Sequence, residues 1–553
     1  MAACRGGAAE IVTGPGGGRL DAGGTERYAI GPVPQGPDAF RLERLSNMAF
    51  AVSIPSRALS EHRDLAFWMK RALEELAGLR GGPSADAVHD VRVALRRCRS
   101  VAAAVEEIDP HPDWLEMRDC ARKLFRSLGD LRDAQVMEEW AERVQPGNDP
   151  LKGALLESLA ARIESANKKA LSNAAKFDEK RWHELERALT ARLRRVPADG
   201  DAARCLAVER LEESRELHRR ALRTESPRPW HALRIGIKRF RYTLESLVPS
   251  LHEEWSDALK RVQDVLGDIH DVDVLRELVL APQANMPGAS GADWETAIAR
   301  IRQERLEEYR QLSLGQNSIW QDWQRGFPKQ DWPRYALARI AATRKCMDGK
   351  LRKSLAVRRI ALRLWSQLRA CGAGEIFASG KERGVLEAIA LLSGIRLEDS
   401  KKPRAKSART FLLKSPVPPA WTFAEWERVA WSVRFQRGAE PGTERKRYSK
   451  LAVEQQAGIA LYAGILRLAL TIYGSGVSSG AAVKMQKLLT GLLLHVSGVE
   501  ENPERAASFA AAKRLLERTL GKTILVHLDP ERENEHKVAE AAAAALPAIA
   551  IVR

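Results

Sequence analysis

Cysteine is sparse in this chain of 553 residues, which contains only six. None of the six stands in a CxxC pair or within a cluster of metal-ligating residues. Scattered single cysteines are typical of free thiols in a reducing compartment. The sequence therefore argues against a disulfide-stabilised secreted protein and against a cysteine-bound metal centre.

The sequence also lacks a charge-free apolar run of 18 residues, which is roughly what a membrane-spanning helix needs. The two most apolar stretches, 459–473 and 488–495, are interrupted or short, and we predict that both are buried helices. Residues 1–30 have no apolar segment behind a basic start, so no signal peptide is expected. We therefore expect a cytoplasmic protein with no membrane partner.

Basic residues, by contrast, are abundant, because the net charge is +17 and the pI is about 9.7. This balance favours an acidic polymer or surface as the partner. Residues 1–55 are rich in Gly and Pro and are predicted to be a disordered leader.

The most informative feature is a duplicated basic segment. VHDVRVALRRCR at 88–99 has a near copy, WHALRIGIKRFR, at 230–241, which is 142 residues later. On a helix, the His and three basic residues of each copy project within an arc of about 80°, opposite an apolar face. The stripe of the first copy consists of His89, Arg92, Arg96 and Arg99, and that of the second consists of His231, Arg234, Lys238 and Arg241. Arg97 and Arg239 widen the two stripes at the same edge.

A solvated helix face is the ordinary explanation of one such stripe. However, like charges repel at this spacing, and Glu or Gln would suit a solvated helix as well. An anionic ligand is the simplest reason to repeat the arrangement. The two histidines can equally be structural residues at helix starts.

A second repeated element follows each stripe, LGDLRD at 128–133 and LGDIHD at 266–271. The predicted helix 114–128 ahead of the first one carries a further basic row, Arg118, Arg122 and Arg126. The second half retains Lys260 but has Asp264 in the position of Arg126. We predict about four helices in each half and no strand.

These elements resemble the CHAD family, the conserved-histidine α-helical domain, over roughly residues 60–330. The resemblance implies an all-α fold of two pseudo-symmetric bundles, at 56–200 and 201–330, whose stripe helices meet at a basic channel for inorganic polyphosphate. It also suggests association with polyphosphate granules. The predicted polyphosphate-binding residues are His89, Arg92, Arg96, Arg97, Arg99, Arg118, Arg122, Arg126, Arg132, His231, Arg234, Lys238, Arg239, Arg241 and Lys260.

The segment 331–525 resembles the HD-type helical region of the exopolyphosphatase/guanosine-pentaphosphate phosphohydrolase family. The similarity lies in VLEAIALLSGI at 385–395, KSAR at 406–409, VRFQR at 433–437 and GILRLAL at 464–470. The positions of the family's metal ligands are held by Ser393, Gly394, Lys402, Lys406, Gln436 and Leu470. Because these residues cannot assemble a metal site that activates water, we predict an all-helical, non-catalytic domain without metal or cofactor. A strand is predicted only at 523–527, close to a tail at 526–553.

Three functions remain open from the sequence. Polyphosphate binding requires rows of cations, and arginine binds phosphate oxygens in bidentate fashion. Single-stranded nucleic acid would require aromatic residues for stacking, and only Tyr242 is suitably spaced on the stripes. A polyphosphate or triphosphate hydrolase would require carboxylates, and we expect Asp133 and Asp271 to orient their neighbours or to cap a helix instead.

Overall fold

The segments at 88–99 and 230–241 are both helical in the computed structural model, as the periodicity predicts. The structure describes residues 64–81, 84–144, 149–280, 291–348, 350–372, 380–395, 404–438, 440–442 and 446–530, which all belong to one unit, His62–Arg553. The predicted leader and most of the predicted tail lie outside these residues.

Eleven α-helices are described between residues 65 and 325. They are α1 (Leu65–Gly81), α2 (Ala85–Val105), α3 (Pro112–Cys120), α4 (Arg122–Val144), α5 (Pro150–Ala175), α6 (Glu179–Leu193), α7 (Asp201–Ala221), α8 (Pro227–Leu247), α9 (Pro249–Val279), α10 (Gly291–Ser313) and α11 (Ile319–Arg325).

Helix boundaries follow local capping chemistry. The Ser84 side chain accepts a hydrogen bond from Ala87 N at the start of α2, and Asp149 accepts one from Leu151 N at the start of α5. Proline at the first turn of α5, α8 and α9 fits because it has no N–H to satisfy there. Such signals fix where each helix begins.

The two halves share one packing plan. Helix α1 packs on α2 as α7 packs on α8, and α4 packs on α5 as α9 packs on α10. The halves meet where α2 contacts α8 and where α4 contacts α9. One hydrophobic cluster contains Met137 and Trp140 of α4 together with Val272 of α9 and Trp294 of α10, so the halves share a core.

The expectation of about four helices in each half is wrong in detail. The predicted helix 114–128 is divided at Ala121 into α3 and α4. The first half also contains two helices after α4, namely α5 and α6, and the second half contains two after α9, namely α10 and α11. The all-α fold and the internal repeat are nevertheless as predicted.

Seven further helices and three strands are described after residue 331. They are α12 (Trp332–Asp348), α13 (Leu351–Ala370), α14 (Gly380–Leu391), α15 (Arg404–Lys414), α16 (Phe423–Arg434), α17 (Val453–Gly474), β1 (Val483–Lys487), β2 (Gly491–Ser497), α18 (Pro503–Leu520) and β3 (Thr523–Asp529).

Helix α12 connects the two parts of the chain, because it packs on α7 of the second half and on α14 of the C-terminal part. Arg339 on α12 forms a buried ion pair with Glu209 on α7. Burial raises the pKa of the Glu209 carboxyl to about 7 despite the opposing effect of Arg339.

The three strands form a sheet in the order β1-β2-β3, with an antiparallel β1–β2 pair and a parallel β2–β3 pair joined through α18. The strand predicted at 523–527 is confirmed as part of β3. The helix predicted at 488–495 is wrong, because this run forms most of β2, with Leu492, Leu494 and Val496 buried. The C-terminal part is therefore mostly rather than wholly helical.

The predicted buried helix at 459–473 is confirmed as part of α17. By length and composition α17 resembles a membrane span, but 72% of its most apolar window is buried inside the protein. It contacts α13, α16 and α18. These contacts identify it as the central core helix of the C-terminal part.

Candidate functional site

The basic faces of α2 and α8 converge where the two halves meet. Four cations, which we call the central cluster, lie there: Arg92, Arg96, Arg234 and Lys238. Burial and then the positive charges of Arg234, Arg96 and Arg92 together lower the pKa of the Lys238 ammonium to about 7, with Asp271 opposing the shift. A lysine in this state indicates closely spaced like charges in a partly desolvated site.

Helix α4 shapes the position of Arg92. A Cβ atom at Gly129 would stand 2.6 Å from Arg92 Nη1, so only glycine lets this guanidinium lie against the helix. Arg92 Nη2 lies 3.6 Å from Asp133 Oδ1, and its Cζ lies 5.4 Å from the centre of the Phe125 ring. The LGDLRD element thus supplies a glycine and a carboxylate to one arginine of the stripe.

The second half also has a carboxylate, that of Asp271, beside its stripe cations. Burial raises the pKa of Asp271, while the charges of Arg234 and Lys238 counteract the rise. Asp271 is the equivalent of Asp133 in the repeat. Both carboxylates therefore act on stripe arginines, which differs from the expectation that they orient Arg132 and His270 or cap a helix.

The central cluster has buried donors that no acceptor in the described part of the chain satisfies. They are Arg92 Nη1, Arg96 Nε and Arg234 Nε, together with the Tyr242 hydroxyl. A buried unsatisfied donor costs roughly 1–3 kcal/mol, and more when it is charged. An anion with several acceptor oxygens would satisfy these donors and neutralise the excess of four cations over two carboxylates.

The histidines of the two halves are placed differently. His231 Nδ1 lies 3.1 Å from His270 Nδ1. Burial and the charges of Arg234, His231 and Lys238 lower the pKa of His270 to about 4, so that this residue is neutral at physiological pH. His89 is exposed, and Arg132, which replaces His270 in the first half, binds Glu139 at 2.9 Å.

Four further predicted residues form a second group on the first half, the outer cluster: Arg99, Arg118, Arg122 and Arg126. Burial, followed by the charges of the other three arginines, lowers the pKa of Arg99. Arg99 Nη1 donates to the Arg118 carbonyl oxygen at 2.6 Å. Arg118 binds Glu106 at 2.5 Å and Arg122 pairs with Asp119.

The structure does not bring the remaining predicted residues into the central cluster. Arg97 pairs with Glu245 across the interface between the halves and lies 4.1 Å from the Trp68 ring centre, and Arg239 binds Glu213 at 3.1 Å. Arg241 donates to Gln263 Oε1 at 3.2 Å. Lys260 lies on a cavity of about 330 Å³ that is also lined by Asp257, Arg261, Asp264, Val265, Asp268, Arg305 and Glu308.

Two contributors to the site, Gly129 and Phe125, were not among the residues predicted from the sequence. The repeated LGD element was a signal for the glycine, but nothing in the sequence showed that its neighbour would be Arg92. Within the described residues, no group of three or more His, Cys, Asp or Glu side chains is placed to hold a metal ion.

Comparison with known proteins identifies the first part of the chain. The family model for the CHAD domain matches residues 64–280, and these residues form a CHAD domain. Among solved structures, the CHAD domain from the plant Ricinus communis is 24% identical and has a TM-score of 0.31, with coverage of 47% of this chain and 88% of that chain. The chain matches no curated protein sequence.

Proposed function

We propose that the CHAD domain at residues 64–280 binds inorganic polyphosphate at the central cluster. The observation that carries this proposal is the convergence of Arg92, Arg96, Arg234 and Lys238 from two duplicated helices, with buried donors left unsatisfied. Polyphosphate carries about one charge per phosphate and several acceptor oxygens, so it can satisfy many such donors along its length. The CHAD family is linked to the same polymer.

Single-stranded nucleic acid fits the site less well. Stacking requires an aromatic face that a base can reach. Tyr242 is only 6% exposed, and Arg96 lies over its ring at 5.3 Å. Phe125 is likewise covered, by Arg92 and Arg99. The aromatic residues beside the cluster therefore support the arginines and offer no stacking platform.

We propose in addition that the C-terminal part is a degenerate HD-type domain without hydrolytic activity. Two positions that correspond to metal ligands in that family are adjacent, because Gly394 N donates to Gln436 Oε1 at 2.8 Å. This hydrogen bond supports the proposal, because a backbone amide and a glutamine side chain cannot replace the imidazole and carboxylate ligands that such a metal needs. The side chains of Lys402 and Lys406 lie outside the described residues.

Neutralising the central cluster tests the binding proposal. The full-length protein with Arg92, Arg96, Arg234 and Lys238 all changed to Gln keeps the apolar faces of α2 and α8 and loses the repulsion among the cations, so it should fold. Each lost charged contact should cost about 1.5–3 kcal/mol. The slope of the logarithm of the binding constant against the logarithm of salt concentration should become shallower by about 3, because each of the four lost phosphate contacts contributes roughly 0.7–0.9.

The matched control changes three arginines and one lysine on the surface of the C-terminal part, Arg352, Arg447, Lys487 and Arg514, to Gln. All four are exposed, and the change in formal net charge is identical. Titration with long-chain polyphosphate should show near-normal affinity for the control and a loss of at least a hundredfold for the cluster variant. Equal losses would mean that the polymer is held by overall basicity, and the proposal would be wrong.

A further inference from the structure

The two halves of the CHAD domain are alike at the central cluster and unlike beyond it. Aligning the LGD elements places Phe125 opposite Gln263 and Arg126 opposite Asp264. On the first half, the outer cluster has four arginines with two carboxylates, Glu106 and Asp119, as their ion-pair partners. The cationic surface therefore continues on this side.

Phe125 links the outer cluster to the central cluster. Its ring faces two guanidinium groups of α2, with Arg92 Cζ at 5.4 Å and Arg99 Cζ at 4.9 Å from the ring centre. Cations placed over an aromatic face are stabilised by the ring quadrupole. Phe125 thus supports a continuous row of positive charge from Arg92 to Arg99 and on to Arg118.

The equivalent surface of the second half is not cationic. Gln263 replaces the aromatic ring and accepts a hydrogen bond from Arg241. The cavity beside it is lined by four carboxylates, those of Asp257, Asp264, Asp268 and Glu308, and by three cations, Lys260, Arg261 and Arg305. Arg261 and Arg305 are already paired with Glu308, and Arg305 also with Asp268. A polyanion would meet a slight excess of negative charge there.

The outer arginines are open to a ligand. The side chain of Arg118 is 33% exposed and that of Arg122 is 47% exposed. Their partners Glu106 and Asp119 are comparably exposed, at 36% and 45%. Such surface pairs contribute little net free energy, so a phosphate can replace the carboxylate easily.

We propose that polyphosphate leaves the central cluster in one direction only, over the outer cluster of the first half, and does not cross the acidic cavity of the second half. This inference rests on the proposed function, because it assumes that the central cluster holds one part of the polymer. The two ends of a bound polyphosphate therefore have different surroundings. A longer polymer gains affinity only through contacts with the outer cluster of the first half.

The test compares two full-length variants that lose the same charge. The outer variant changes Arg118, Arg122 and Arg126 to Gln, and the mirror variant changes Lys260, Arg261 and Arg305 to Gln. Each is titrated with tripolyphosphate, which is short enough for the central cluster alone, and with a long-chain polyphosphate of hundreds of units. Circular dichroism checks that both variants remain helical.

The outer variant should lose at least about tenfold in affinity for the long chain and keep its affinity for tripolyphosphate. The mirror variant should keep both affinities within about twofold. Similar losses in the two variants would show that the polymer crosses both halves, and no loss in either would show that it ends at the central cluster; both results overturn the inference. If the unchanged protein binds neither phosphate, the proposed function itself fails.

Discussion

Gly129 offers a way to displace one guanidinium without removing a charge. In Gly129→Ala, the new Cβ atom would stand 2.6 Å from Arg92 Nη1, roughly 0.8 Å short of ordinary van der Waals contact. Arg92 must move, because Gly129 is fixed within α4 and its alanine methyl group has no alternative rotamer. The clash involves the end of a flexible side chain, so the helix itself should be undisturbed.

The expected effects on stability and on binding have opposite signs. Replacing glycine by alanine within a helix should raise the free energy of unfolding by about 0.5–1 kcal/mol. Moving Arg92 out of place should remove one charged contact with phosphate, worth about 1.5–3 kcal/mol. Affinity should therefore fall by roughly ten- to a hundredfold while the melting temperature stays the same or rises.

Gly267→Ala is the matched control, because Gly267 is the equivalent residue on α9 and a Cβ atom there meets nothing within 4 Å. It brings the same gain in helix propensity without moving an arginine. Polyphosphate titration and thermal unfolding of both variants would distinguish the effects. If Gly129→Ala binds as well as Gly267→Ala, then Arg92 contributes little to the contact with the polymer, and the geometry assigned to the central cluster is wrong.

Two further predictions concern pH and catalysis. The pKa of Lys238 is lowered to about 7 by burial and by Arg234 and Arg96, so the affinity for polyphosphate should fall as the pH rises from 6 to 9. In titrations at constant salt, Lys238→Arg should make the affinity less dependent on pH. A wild-type affinity that does not change over this pH range would contradict the prediction. Because that pKa lies below its unfolded value of 10.5, the unfolded chain binds more protons between these values, and the stability of the free protein should rise with pH there. Purified protein incubated with polyphosphate and Mg²⁺ or Mn²⁺ should release no phosphate, and release that disappears on deletion of 331–525 would refute the non-catalytic assignment.

The helical parts of the fold were predictable because amphipathic periodicity is a local property. Helices α2 and α8 each bury one face, with Leu95 and Cys98 on the first and Ile237 and Phe240 on the second, all at most 1% exposed. Strand β2 was missed because GLLLHVS is a short, nearly continuous apolar run. Such a run has no clear period, so it is compatible with a buried strand or a buried helix.

The site was only partly predictable, because a helical projection shows which side chains share a face but not what lies opposite. Arg97 and Arg239 stand at the edge of the stripes in sequence, yet each is paired with a glutamate from another helix, Glu245 and Glu213 respectively. Arg92 and Arg234 share the same faces but meet carboxylates from the LGD elements. Long-range packing, which the sequence does not reveal, decides which cations remain for a ligand.

The central cluster is held together by the packing of the helices behind it, because its charges oppose its own assembly. Burial and mutual repulsion lower the pKa values of Arg92, Arg234 and Lys238, which means that the unliganded protein stores unfavourable electrostatic energy there. The shared apolar core of the two halves supplies the opposing free energy. Duplication therefore explains the scaffold and the paired cations, whereas divergence at Phe125 and Gln263 explains why the positive surface continues on one side only. A ligand that neutralises the cluster should consequently stabilise the whole domain, and it should do so most when its chain is long enough to reach Arg118.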